Sequence, residues 1–154
     1  MQSEPPEYDA ALETFDLAVE AARRIGYRGG ELSNRTYAAA MAVLLERDDA
    51  AARCRVALAD GIEMRWRLPM GQIPAASVAL ASSGRLEAAA VGAGYILASP
   101  GDPRPPVVML VHRLLELVET HPHREPFMLR GRSMSWDEIV EFLLAELDAV
   151  GLVD

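Results

Sequence analysis

The chain has 154 residues, of which 51% are hydrophobic, and a formal net charge of −8 from 23 acidic residues, 15 arginines and no lysine. This length favours a single domain spanning residues 1–154. The lack of lysine excludes a Walker A phosphate loop, a Schiff base and a lysine general base. The acidic excess disfavours direct binding to nucleic acid.

Disulfides and targeting segments are also constrained by the sequence. Cys54 is the single cysteine, which excludes an internal disulfide. The uncharged segment 68–84 contains two prolines and three serines, so it is not apolar enough to cross a bilayer. No basic segment followed by an apolar run indicates a secretory signal. We therefore expect a cytoplasmic protein with no membrane partner.

The first predicted helix runs from Pro6 to about Ile25. Proline suits the first turn of a helix, and Gly26 suits its C-terminal end. Residues 28–30 have the sequence Arg-Gly-Gly, which indicates a loop. One face of the helix carries apolar residues at three- and four-residue spacing, namely Tyr8, Ala11, Leu12, Phe15, Val19, Ala22 and Ile25.

Two further helices are predicted between residues 33 and 68. Ser33 is a suitable N-cap for the second helix, which ends near Arg47. Asp48 is the expected cap of the third helix, and Pro69 prevents that helix from continuing.

The fourth and fifth predicted helices are rich in alanine. The fourth runs to about Ser83 and stops at Gly84, and the fifth spans residues 86–98. Gly92 and Gly94 each weaken the fifth helix by about 1 kcal/mol relative to alanine. We therefore expect a neighbouring helix to approach these glycines closely.

A proline-rich linker separates these helices from the closing ones. The linker is SPGDPRPP, residues 99–106, and its last prolines start a sixth helix. Before the seventh helix, Ser135 and Glu138 are spaced as a capping box, with Met134 and Ile139 placed as a hydrophobic staple. This pattern favours a closing helix over an anion-binding function for the neighbouring arginines.

The predicted helices recur in pairs. Residues 33–59 align with residues 70–96, and in both segments a tight turn leads to a helix that opens with paired small residues. No segment alternates apolar and polar residues as a strand would. The chain is therefore predicted to be all-α, with about seven helices. Residues 8–98 would form antiparallel helix-turn-helix repeats, and residues 107–154 would close them.

Three segments resemble tetratricopeptide-like repeats: LLERDDAAARCRVAL, ALASSGRLEAAAVGAGYIL and LRGRSMSWDEIVEFLLAEL. More narrowly, they are similar to the C-terminal helical-repeat region of large bacterial ATP-dependent transcriptional regulators and related adenylate-cyclase-type signalling proteins. The resemblance covers about residues 8–147. It implies a solenoid that binds a protein segment, a peptide or a small effector in bacterial regulation.

A candidate binding region lies at the end of the third helix, where two repeats would meet. The third helix carries the densest positive charge in the chain, and Trp66 lies among its arginines. These arginines could recognise an acidic partner, but the spacing of Asp49 and Arg53 also favours an ion pair on a solvated face. The predicted binding residues are Tyr37, Arg65, Trp66, Arg67 and Gln72.

Two histidine patterns could indicate metal binding or acid-base catalysis. In HPHREP, residues 121–126, two histidines and a glutamate alternate and could hold a metal, but a fourth ligand is missing and the proline favours a helix exit. His112 and Glu116 lie one helical turn apart, which more simply gives a surface pair. We predict no metal site, no cofactor and no catalytic residues.

Two other functions are consistent with the sequence. The first helix corresponds to the second half of a repeat whose first half is missing, so its apolar stripe would be open on one side. A homodimer formed through Tyr8, Leu12, Phe15 and Val19 is therefore one alternative. A small helical enzyme without a sequence signature is the other.

The charge distribution generates a first prediction. Labelled duplex DNA titrated with the protein at low salt should show no saturable binding, because the chain has a net charge of −8 and an acidic closing helix. Binding that saturates and weakens steeply with added salt would contradict this prediction.

Overall fold

The computed structural model describes residues 7–65 and 71–151, and within these ranges it contains eight helices and no strand. The all-α prediction is confirmed, with eight helices in place of about seven. None of these eight helices is long and apolar enough to pass through a lipid bilayer. They are α1 Tyr8–Arg24, α2 Arg28–Leu44, α3 Ala50–Glu63, α4 Gln72–Ser82, α5 Leu86–Leu97, α6 Pro105–Glu119, α7 Arg124–Arg132 and α8 Trp136–Gly151.

Helix α4 lies at the centre of the fold. Every residue from Gly71 to Ala81 is buried, and the helix packs against α2, α3, α5, α6 and α8. A helix that is apolar on all sides is stable only when protein surrounds it. The small side chains of α4, mostly alanine and serine, allow its neighbours to approach closely.

Helix α8 returns to the first half of the chain and closes the bundle. It packs against α3, α4 and α5. Arg55 of α3 pairs with Asp148, and Arg85 pairs with Glu146 at 2.5 Å. In a solenoid each unit contacts only its neighbours. The contact between α3 and the last helix therefore goes beyond the packing of a simple solenoid.

A close helix crossing at a glycine of α5, which the sequence predicts, is confirmed. A Cβ added at Gly94 would lie 1.9 Å from the carbonyl oxygen of Met128 in α7. On the facing helix, a Cβ at Gly131 would lie 1.8 Å from the carbonyl oxygen of Val91. No side chain fits at either position, so the backbones of α5 and α7 are in direct contact.

Helix α7 is the helix that sequence reasoning missed. Its segment has few apolar residues and shows no helical periodicity. In the structure, Phe127 and Met128 pack against the core. A nine-residue helix is too short to be stable alone, so its contacts with α5 must hold it in place.

The predicted start of α2 is wrong. Residues 28–30 form its first turn and are not a loop, and Ser33 lies inside the helix and is not its N-cap. A Cβ added at Gly30 would lie 2.5 Å from Cδ1 of Tyr27, so glycine here makes room for that ring. Two arginines of α2 pair with the buried carboxylate of Glu31 at 3.1 and 2.7 Å. These contacts offset the low helix propensity of the two glycines.

Both predicted ends of α3 also need correction. The helix begins at Ala50, and within the described residues no side chain caps it, so Asp48 is not the cap. It ends at Glu63, because Arg65 adopts a left-handed φ of 51°. Pro69, at which the end was predicted, lies outside the described residues.

Three other predicted helix ends are confirmed. Gly26 and Gly84 follow α1 and α4 with left-handed φ angles of 72° and 82°. At the start of α8, the backbone N–H of Glu138 donates to Oγ of Ser135. The backbone N–H of Ser135 donates in turn to Oε1 of Glu138, and both bonds measure 3.2 Å. This is the reciprocal pattern of a capping box.

The capping box generates a second prediction. Ser135→Ala should lower the free energy of unfolding by about 1 kcal/mol, because it removes the acceptor for a first-turn backbone donor. Chemical denaturation measures this change. Ser133→Ala is the matched control, because the hydroxyl of Ser133 only donates to a carbonyl of the preceding turn. Equal destabilisation by the two substitutions would contradict the capping role.

Candidate functional site

Two of the predicted binding residues, Tyr37 and Gln72, are held by internal contacts. The ring of Tyr37 stacks on Phe15 with centroids 5.1 Å apart, and its hydroxyl accepts a hydrogen bond from Arg104 at 2.7 Å. The buried Nε2 of Gln72 donates to Oγ1 of Thr36 and to a carbonyl of α3, both at 3.4 Å. Both residues therefore tie neighbouring elements together.

The arginine-rich end of the third helix is described in part. Arg65 is exposed, whereas Trp66 and Arg67 lie outside the described residues. Earlier in α3, Nε of Arg53 donates to Asp49 at 2.8 Å, as the spacing predicted. This hydrogen bond lowers the pKa of the Asp49 carboxyl. Binding by the three residues 65–67 stays a prediction.

The predicted self-association stripe of α1 faces the interior. Leu12 and Val19 are buried, and Tyr8 and Phe15 are half-buried against the core. The Tyr8 hydroxyl contacts the sulfur of Met109 in α6. Helices α2 and α6 of the same chain thus cover much of this stripe. Self-association through these four residues stays a prediction.

A cavity of about 550 Å³ is the strongest candidate site in the described part of the chain. It lies between the start of α4, the end of α5, the loop that follows α5, the first half of α6 and the first residue of α8. Five segments that are distant in sequence build it. No local motif could have predicted it, although its loop is the linker that the prolines indicated.

The walls of this cavity are mostly apolar. Its side chains include Ile73, Ile96, Val107 and Val111, together with the two rings of Tyr95 and Trp136. The wall continues to the surface at Leu97 and Val108, which are 52% and 37% exposed. The mouth of the cavity is thus an apolar surface that the described helices leave open.

Three polar side chains, Ser99, Asp102 and His112, stand at the rim of the cavity. The Ser99 hydroxyl donates to the carbonyl of Tyr95 at 2.8 Å. Asp102 accepts hydrogen bonds from the backbone N–H and from Nε of Arg104, at 3.0 and 2.9 Å. These bonds, led by those from the guanidinium, lower the pKa of Asp102. The carboxylate is therefore ionised and already paired.

A second cavity, of about 620 Å³, is lined by polar groups that are largely satisfied by one another. Arg85 and Glu146 in its wall form an ion pair, and the guanidinium of Arg130 lies 4.8 Å from the centre of the Phe142 ring. The wall therefore offers few free groups to a ligand.

The HPHREP segment forms the turn between α6 and α7 and the first residues of α7. Nδ1 of His121 accepts the backbone N–H of His123 at 3.0 Å. Nε2 of His121 also lies 4.0 Å from a carboxylate oxygen of Glu87. Among residues 7–65 and 71–151, no group of three or more histidine, cysteine or acidic side chains is placed to hold a metal ion.

Comparisons with protein-family models, with curated proteins and with solved structures each find no match for this chain. The function is therefore inferred from its own residues and geometry. The resemblance to tetratricopeptide-like regulators stays a prediction.

The buried thiol generates a third prediction. Cys54 is 2% exposed, and burial raises the pKa of its thiol to about 12. Because the thiolate is the reactive form, an aromatic disulfide reagent at neutral pH should label the folded chain at least about a hundredfold more slowly than the unfolded chain. The chain in denaturant serves as the control. Labelling of the folded chain at the rate of the unfolded chain would contradict the burial of this thiol.

Proposed function

We propose that the chain is a non-catalytic helical binding module, and that the 550 Å³ cavity takes a small, largely apolar effector with one polar end. The observation that carries this proposal is the apolar wall, which continues to the surface at Leu97 and Val108. Cavities of this size hold small ligands in other proteins. The family resemblance supports a regulatory role in the bacterial cytoplasm.

The cavity walls favour the hydrocarbon part of a ligand. Burial of apolar surface contributes about 25 cal/mol per Å² removed from water. Atoms that line an unfilled apolar space also lack van der Waals partners on one side. A ligand that matches the shape of the cavity gains from both effects.

The rim favours an uncharged polar end on the ligand. The guanidinium of Arg104 balances the carboxylate of Asp102, so neither charge is free to pair with an ionised ligand. Ser99 keeps acceptor lone pairs, and the imidazole of His112 can donate or accept. A hydroxyl or amide group can bond to these side chains without the cost of burying a charge.

The same rim is poorly suited to acid-base catalysis. A carboxylate whose pKa is lowered by an arginine is a weak general base. The Ser99 hydroxyl donates to a backbone carbonyl, and no hydrogen bond within the described residues joins it to His112. These features support binding as the function of the cavity.

A protein segment is the second candidate occupant, and the open apolar mouth favours it. Such a segment would insert one side chain into the cavity and lie across Leu97 and Val108. The successive hairpins α2–α3 and α4–α5 support a tetratricopeptide-like interpretation, because repeats of this kind present surfaces to extended segments.

A dye titration with a matched pair of variants tests the cavity. A neutral naphthylamine dye, which fluoresces in apolar surroundings, should bind the wild type saturably. Leu97→Glu should weaken this binding about tenfold, because it places a charge at the mouth. Leu129→Glu is the control, because Leu129 is 63% exposed on α7 and does not line the cavity.

A second variant blocks the cavity sterically. Gly101 lines the cavity, and no atom lies within 4 Å of a Cβ added there, so Gly101→Leu should fold and still reduce binding. Near-ultraviolet circular dichroism confirms folding of all three variants. Absence of saturable binding to the wild type, or equal weakening by Leu97→Glu and Leu129→Glu, would contradict the proposal.

A further inference from the structure

Two aromatic side chains, Tyr95 of α5 and Trp136 of α8, line the 550 Å³ cavity. Both are half-buried and pack against the hydrophobic core. Phenylalanine, tryptophan and tyrosine together make up only 6% of the chain. Two rings from separate helices in one cavity wall are therefore a local concentration of aromatic surface.

The position of Tyr95 is fixed by the crossing of α5 and α7. Tyr95 directly follows Gly94, one of the glycines at which these helices are in contact. A Cβ added at Gly131 of α7 would lie 3.0 Å from the backbone nitrogen of Tyr95. Because the two backbones touch here, the backbone of Tyr95 cannot move towards α7.

The position of Trp136 is fixed by the first turn of α8. Trp136 is the first residue of this helix and directly follows Ser135. The two hydrogen bonds of the capping box, between Ser135 and Glu138, close the turn that carries Trp136. Ile139 in the next turn is fully buried and attaches α8 to the core. The direction in which the Trp136 side chain leaves the helix therefore depends on this cap.

Gly131 connects the two aromatic residues through the backbone. On one side it contacts the backbone of Tyr95. On the other, its carbonyl accepts the backbone N–H of Met134 at 3.2 Å, two residues before Trp136. Tyrosine and tryptophan each have only two side-chain torsions, so both rings lose little freedom when a ligand binds. The aromatic part of the wall is therefore preorganised.

A rigid wall with two rings favours a rigid, flat ligand. Aromatic rings attract one another in offset-stacked or edge-to-face contacts, and this attraction adds to the gain from burial of apolar surface. A saturated ring is thicker and has no π system to take part in such contacts. A flexible chain would also lose torsional freedom on entering the cavity.

We propose that the ligand of this cavity is a planar aromatic molecule with a hydroxyl or amide substituent, selected by Trp136 and Tyr95. This inference rests on the proposed function, because it assigns a chemical class to the ligand of the same cavity. Ser135 and Glu138 are exposed and do not line the cavity. They are positioning residues that act through Trp136.

Two ligands with the same carbon skeleton test the aromatic selection. Isothermal titration calorimetry should show that 2-naphthol binds the wild type at least about fivefold more tightly than its saturated counterpart, decahydro-2-naphthol. Equal or tighter binding of the saturated compound would overturn this inference and leave the proposed function intact. Binding of neither compound would overturn both.

Replacement of each ring by leucine tests the residues. Trp136→Leu and Tyr95→Leu should each reduce the preference for 2-naphthol at least about threefold and change the affinity for decahydro-2-naphthol less than about twofold. Phe142→Leu is the matched control, because Phe142 is also a half-buried ring on α8 but lines the second cavity. Far-ultraviolet circular dichroism confirms folding. An unchanged preference in both cavity variants, or an equal loss in the control, would overturn the selection by these rings.

The positioning by the capping box has a separate spectroscopic test. The chain has two tryptophans, so Trp66→Phe leaves Trp136 as the only one. In that background Ser135→Ala should increase acrylamide quenching of Trp136 and weaken 2-naphthol binding. Ser135→Thr, which keeps a capping hydroxyl, should restore both values. Ser133→Ala is the control, because the hydroxyl of Ser133 takes no part in the capping box. Quenching that is the same in Ser135→Ala as in its parent would refute the positioning role.

Discussion

Helix α4 is buried from its first residue to Ala81, and five other helices are arranged around it. Its neighbours α2, α3, α5, α6 and α8 can approach from all sides only because its side chains are small. A Cβ added at Gly92 of α5 would lie 2.0 Å from Oγ of Ser77, which shows how closely these two helices pack. The close approach of a neighbouring helix to Gly92, which the sequence predicts, is thus also confirmed. Side-chain volume on α4 therefore sets the spacing of the whole bundle.

The tight packing around α4 leaves unfilled space where the ends of its neighbours meet. Helices of different length and direction surround one short helix, and their side chains fill the space along α4 but not beyond its start. The 550 Å³ cavity lies at that point, where α5 ends, α6 begins and Trp136 starts α8. Gly71 enters α4 there with a left-handed φ of 83°, and a Cβ on it would contact Val107. The cavity is a product of how the helix ends meet.

Local signals were sufficient for much of the fold. The capping box at Ser135 and the glycines at 26 and 84 predicted helix ends correctly, because each acts within one helical turn. Helix α7 and the first turn of α2 were missed, because tertiary contacts stabilise them against weak local propensity. The cavity could not be predicted, because it joins five segments without a shared motif. Tyr37 and Gln72 were predicted as binding residues; in the structure both make internal contacts, and their part in binding stays a prediction.

A chain of contacts connects the cavity rim with α1. Arg104 pairs with Asp102 at the rim and donates to the hydroxyl of Tyr37, whose ring stacks on Phe15. A ligand could influence α1 by this route only if Arg104 had two arrangements that the ligand distinguished. Several hydrogen bonds to Asp102 favour the single arrangement seen here. Phe15 also lies on the inner face of α1, away from Leu17. A ligand in the cavity is therefore expected to leave the position of α1 unchanged while the pair of Arg104 and Asp102 is intact.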